Sequence, residues 1–84
     1  MQLTTFPNPV SGDATISFDL TKSEYAKLSI CDMLGRKLEV ISEAVAAEGK
    51  NIFHFDSKNF ANGVYLCTLE TADGAETSRI VVVH

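Results

Sequence analysis

Tryptophan is absent from this chain, proline and cysteine occur twice each, and only seven of its 84 residues are basic. Each scarcity removes a class of function. The seven lysines and arginines, at 22, 27, 36, 37, 50, 58 and 79, are scattered against eleven acidic residues for a net charge of -4. Nucleic-acid binding needs clustered cations that displace counterions from phosphates, so no nucleic-acid partner is expected. Only Arg36 and Lys37 are adjacent, which reads as a solvated turn. The longest apolar run, Ile80 to Val83, falls far short of the roughly 18 residues of a spanning helix, so no membrane span is expected. Gln2, Thr4 and Thr5 follow Met1 with neither the charged nor the apolar region of a signal peptide. The chain is therefore cytoplasmic or a piece of a longer precursor, and the second reading is preferred.

Chemistry-bearing clusters are equally scarce. His54 and Asp56, at i and i+2, share one strand face, but no nucleophile is spaced to work with them. Asp13, Asp19, Asp32, Asp56 and Asp73 lack metal-loop spacing, and two histidines thirty residues apart make no zinc motif. No glycine-rich phosphate cradle occurs. The expectation is a protein that is not an enzyme, with no catalytic residues, no cofactor and no metal.

What is present is strand periodicity. With 45% hydrophobic and 21% charged residues the chain is globular, although 84 residues make a thin core. Glycines at 12, 35, 49, 63 and 74 punctuate the apolar runs. Ala14, Ile16, Phe18 and Leu20 alternate with Thr15, Ser17 and Asp19, the pattern of a half-buried antiparallel strand. Ala26, Leu28 and Ile30 repeat it, and Met33 to Arg36 turns the chain into a strand over Lys37 to Ile41. Glu43 to Glu48 has helix-forming composition but is too short to hold a helix, so it is expected as a loop with at most one helical turn. Asn51 to Asp56 is a strand with Phe53 and Phe55 on one face. Ser57 to Gly63 is a turn with Phe60 as a plug beneath it. Val64 to Thr71 places Tyr65, Cys67 and Leu69 together, and Asp73-Gly74 marks a hairpin into the last strand. About six to seven strands without a crossover helix predict an all-β, immunoglobulin-like antiparallel β-sandwich, one domain over 1–84.

Ahead of these strands stands Phe6-Pro7-Asn8-Pro9-Val10-Ser11-Gly12. Two prolines without an N–H cannot lie inside a paired strand, so 1–12 is expected as a stiff, extended lead-in from an upstream linker. Cys31 is expected outward or at an edge and Cys67 inward. A buried free thiol at Cys67 is preferred over a bridge.

The combination of Phe6-Pro7-Asn8-Pro9 with Gly12, Asp32-Met33-Leu34-Gly35-Arg36, Phe55-Asp56, Asn62-Gly63-Val64-Tyr65 and a closing basic-apolar strand resembles the type A C-terminal sorting domain of the type IX secretion system. The resemblance covers essentially the whole chain. It implies a secretion signal fused behind a larger cargo, passing through the periplasm to the cell surface or extracellular space. Its implied partners are the outer-membrane translocon and a sortase that usually removes the domain. It also implies signature positions at Pro7, Asn8, Pro9, Gly12, Asp32, Gly35, Arg36 and Asp56. Recognition is expected at Gly63, Tyr65, Arg79, Ile80, Val81, Val82, Val83 and His84. Family members commonly finish in lysine, whereas this chain finishes in His84. An apolar last strand exposes an edge unless it is covered, so β-augmentation by the translocon and edge-strand self-association are both expected. The alternatives are a carbohydrate-binding or adhesive module, which would display exposed aromatic rings, and a structural spacer.

Overall fold

Alternating apolar side chains become seven strands in the computed structural model, which describes residues 2–84. These are β1 (Thr4–Phe6), β2 (Asp13–Leu20), β3 (Glu24–Cys31), β4 (Lys37–Ala46), β5 (Gly49–Asp56), β6 (Gly63–Thr71) and β7 (Gly74–Val82). There is no helix among the described residues. One sheet runs β1-β2-β5 and the other β4-β3-β6-β7, with every strand pair antiparallel. The result is the expected sandwich of three and four strands. Both sheets turn an apolar face inward, with Ala14, Ile16, Phe18 and Leu20 of β2 meeting Ala26, Leu28 and Ile30 of β3. Phe55, Cys67, Leu69, Ile80 and Val82 complete this core. Phe53 stacks on Phe18 at 5.9 Å, and Phe60 packs edge-on against Phe55 at 5.0 Å. Phe60 is thus the plug that its turn-rich segment predicts.

Three features differ from expectation. The helix-forming run after Ser42 is not a loop: β4 continues to Ala46, with Glu43 opposite Lys27, Ala44 opposite Ala26 and Val45 opposite Tyr25. Ladder pairing along β3 overrides a propensity that six residues could not express alone. Register shifts after Leu28 and Ile30 let this long edge strand stay paired while it bends.

The lead-in is the second difference, because it belongs to the sandwich. Thr4–Phe6 pairs with Thr15–Ser17, and Val10 is fully buried and bridges Val82 in parallel. Leu3 is buried as well, whereas Phe6 stays in solvent. The prolines interrupt pairing between these two anchors, as their missing N–H requires. Met1, at the head of the expected lead-in, lies outside the described residues.

Third, Cys31 is buried although it faces away from the core. It lies on the outer face of the four-stranded sheet between Lys37 and Leu66, its Sγ 4.0 Å from Thr68 Oγ1. On a central strand, side chains from both neighbours close over such a position. Cys67, opposite Ile30, faces the core, so the two thiols lie on opposite faces and are free. Burial, helped by the nearby Cys31 sulfur, pushes the Cys67 thiol up to about 12.

Two outcomes follow from this packing. Phe18→Ala lowers unfolding free energy in denaturant titrations by about 3–5 kcal/mol, whereas Ile52→Ala, at an exposed position, costs under about 1 kcal/mol. Thiolate, not thiol, reacts, so Cys67 resists alkylation at pH 8 until denaturant opens the core. Intact mass of unreduced protein shows no bridge. Labelling of Cys67 as fast as a free thiol contradicts this packing.

Candidate recognition surface at one end of the sandwich

Antiparallel pairing sets the ends of β3, β5 and β7 beside the starts of β2 and β6. That end therefore collects the segments 7–12, 32–36, 56–65 and 79–84. Every residue singled out from the sequence as a signature or recognition position lies there.

Most of these residues hold the end together. The Asn8 carboxamide donates from Nδ2 to the Arg79 carbonyl at 2.9 Å and accepts the Val81 amide on Oδ1 at 3.0 Å. Val10 continues the contact, its amide donating to the Val81 carbonyl at 2.7 Å and its carbonyl accepting the Val83 amide at 2.9 Å. A side chain and one residue thus occupy four edge groups of β7. Four outward main-chain groups over Arg79 to Val83 are therefore already bonded, so the edge is less open than expected.

Gly12 is clasped by Ser57, which is fully buried. The Gly12 amide donates to Ser57 Oγ at 3.0 Å, while its carbonyl accepts the Ser57 hydroxyl at 2.8 Å and amide at 2.9 Å. Asp56 Oδ1 accepts the Lys58 amide at 2.9 Å and shapes the turn that follows. The Tyr65 hydroxyl donates to the Ala61 carbonyl at 2.6 Å, and its ring meets Phe60 edge-on at 5.2 Å. Gly63 opens β6 opposite Val82. The His84 amide donates to Asn62 Oδ1 at 3.0 Å and its Nε2 to the Phe60 carbonyl at 2.8 Å, tying the last residue to the turn. Ser57 and Asn62 are absent from the sequence-derived sites. Turn composition flags both as loop residues, but their partners are 45 and 22 positions away.

Asp32 organises the β3–β4 turn. Its Oδ1 accepts the Leu34 and Arg36 amides, each at 2.9 Å, and its Oδ2 pairs with Arg36 Nε at 2.6 Å. Gly35 closes the turn onto the Asp32 carbonyl at 3.0 Å with φ of 87°, a left-handed conformation that suits glycine. The amide of Arg36, then the guanidinium and the Leu34 amide, hold the Asp32 carboxyl below its ordinary value of 3.8 despite some desolvation.

The residues left to face outward form a surface. Arg79, Val81 and Val83 alternate with buried Ile80 and Val82, so a partner meets the first three and not the other two. Beside them on the outer sheet face lie Val64 and Leu66 of β6, opposite Val81 and Arg79. Lys27 pairs with Glu43 at 3.7 Å, Lys37 with Glu70 at 3.5 Å and Lys22 with Asp73 at 3.9 Å. Arg79 has no carboxylate partner among the described residues. An apolar strip bordered by an unneutralised guanidinium results.

A shallow cleft of about 370 Å³ beside this end is lined by Ser11, Gly12, Asp13, Asp56, Lys58 and His84. It sets two cross-strand carboxylates near an ammonium and an imidazole. No cluster of three metal-ligating side chains forms among the described residues. His54 and Asp56 share the outward face of β5, as expected, and both are exposed.

The family model described as secretion system C-terminal sorting domain matches residues 4–83. No curated protein matches the chain.

A depressed carboxyl value contributes stability that is complete above the ordinary value and lost as pH falls through the folded one. The Leu34 and Arg36 amide resonances therefore titrate together with a midpoint below 3.8. Asp32→Asn abolishes the transition. A midpoint at or above the ordinary aspartate value contradicts the assigned contacts.

Proposed function

The chain belongs to the family of secretion system C-terminal sorting domains, and we propose that it works as a non-catalytic address on a larger cargo protein. The cargo passes through the periplasm, and the outer-membrane translocon of the type IX pathway recognises the folded sandwich. A sortase then removes the domain as cargo reaches the cell surface or extracellular space. The observation that carries this reading is the match over 4–83. Gathering of the signature segments at one end of the fold supports it.

Translocon contact falls on the outward side chains of that end, Arg79, Val81 and Val83, with Val64 and Leu66 beside them. Strand addition at Arg79 to Val83 is disfavoured because Asn8 and Val10 already hold those main-chain groups. Ile80, Val82, Gly63 and Tyr65 act indirectly, by keeping β7 seated. His84 does so by its two bonds to the turn at 60–62. Sortase cleavage belongs ahead of Leu3, since Leu3 is buried and its amide is bound by Glu76 at 2.8 Å. A carbohydrate platform needs neighbouring exposed rings. Exposed Phe6 and Tyr25 lie in different sheets at opposite ends, which argues against that alternative.

Removing residues 79–84 is a poor test, because it also removes buried Ile80 and Val82. In a reporter fused ahead of this domain, Arg79→Glu and Val81→Lys each lower surface delivery by about tenfold or more, the effect of losing roughly 1.4 kcal/mol of binding. Lys22→Glu, at the other end, leaves delivery unchanged. Full delivery by a folded Arg79→Glu/Val81→Lys domain removes the proposed contact face. Failure of the unaltered domain to deliver the reporter removes the sorting function.

A further inference from the structure

The two thiols of this domain are buried under different covers. Cys67 faces the core and lies beneath the opposite sheet. Cys31 faces outward, in a row that runs Lys37, Cys31, Leu66, Arg79 across the four-stranded sheet. Both strand layers turn toward the core, so no strand lies over that outer face and surface side chains supply its cover. Lys37 of β4 reaches Glu70 of β6 at 3.5 Å although β3 runs between their strands. The ion pair therefore crosses above β3, from the row of Cys31 to the row of Lys27, with Ser29 between those rows. Its side chains are 42% and 43% exposed, so solvent and salt reach the pair. Ser29, on the same face as Cys31, is fully buried and its Oγ has no hydrogen-bond partner, and neither has the buried Oε1 of Glu70. The Cys31 Sγ stands 4.0 Å from Thr68 Oγ1. A hydroxyl left unbonded under a cover is costly, and it offers a donor to a polar atom that enters beside Cys31.

We propose that Cys31 is a thiol modification site gated by the Lys37–Glu70 ion pair: when the pair parts, Cys31 exchanges with a low-molecular-weight disulfide while the sandwich stays folded. The thiol releases its proton to solvent and its sulfur bonds one sulfur of the disulfide. The original S–S bond breaks, and the other half leaves as a thiolate, so Cys31 is oxidised and the leaving half is reduced. The adduct stands beside Leu66 in the row of Arg79, where it obstructs the outward face of that end. This consequence for recognition rests on the function proposed above, whereas the exchange itself needs no translocon.

Neutral dipyridyl disulfide, added to the reduced whole chain, tests the exchange, with thiopyridone release followed by absorbance and the adduct mapped by peptide mass. Cys31 reacts under native conditions, and Cys67 reacts only in denaturant. Glu70→Ala reacts about two- to fivefold faster than the unaltered protein, the effect of losing one surface ion pair. Salt at about 1 M raises the rate of the unaltered protein similarly, because it screens the pair and the reagent carries no charge. Lys22→Ala, which breaks an ion pair elsewhere, leaves the rate unchanged, and Cys31→Ser abolishes the native-state signal. Circular dichroism confirms the sandwich in each variant. Should Glu70→Ala fail to fold, Glu70→Gln keeps the side-chain size and removes the charge. A Cys31 that reacts no faster than Cys67 in the absence of denaturant overturns the site. A folded Glu70→Ala or Glu70→Gln protein that reacts at the parent rate overturns the gate. Both readings come from purified protein, so they stand apart from any failure of the domain to deliver a reporter.

Discussion

Closure of the last strand against the first segment is the constraint from which the rest of this small sandwich follows. A chain of 84 residues fills only one thin core layer, so each fully buried side chain matters to its stability. Val10 and Val82 are both fully buried, and the parallel bridge between them joins the entry of the three-stranded sheet to the exit of the four-stranded one. Without that join, Val10 would leave the core and the outward groups of β7 would face water. Leu3 would also lose the Glu76 contact that holds β1 against the opposite sheet. The Ser57 clasp on Gly12 and the His84 contacts with the turn at 60–62 brace the same region from both sides.

Strand content was legible in the sequence wherever one face is dry and the other wet. β2 is the clearest case, because its period-two pattern is complete from Ala14 to Leu20 and all four apolar positions are buried. Legibility failed where a neighbour decided the outcome. Glu43 to Ala46 carry no strand signal of their own and are extended because β3 offers them a ladder. Cys31 alternates outward as the pattern requires, yet it is buried, because period counts faces and cannot count how many neighbours close over a central strand. The convergence of the signature positions became visible only with sheet order, since the contacts of Asn8 span more than 70 residues.

Roles within the candidate site divide along the same line. Met33 to Arg36 were readable as a turn and form one, whereas Asp32, read as the end of the preceding strand, is the residue whose carboxylate organises it. Asn8 was readable as a residue between prolines and as a signature position of the resemblance, but not by its contacts. Its function in the fold depends on a carboxamide having a donor and an acceptor at the spacing of a peptide group. Aspartate lacks the donor, serine lacks the reach, and neither can meet Arg79 and Val81 together.

Charge distribution gives the exposed face its character. The lysine pairs at 22, 27 and 37 are long and solvent-exposed to differing degrees, and such pairs contribute little to stability. The pairs at 27 and 37 neutralise the outer sheet face locally, while Lys22 and Asp73 pair between two turns. Arg79, with no carboxylate partner among the described residues, stands between Thr77 and Val81 on the outward face of β7 in an acidic chain. A guanidinium beside an apolar strip is suited to a partner that brings a carboxylate alongside apolar side chains, because its forked donors accept a carboxylate in two bonds. That fit requires β7 to present Arg79 and Val81 on one face at fixed spacing. The Asn8 carboxamide, bound to the main chain of those same two residues, holds them there.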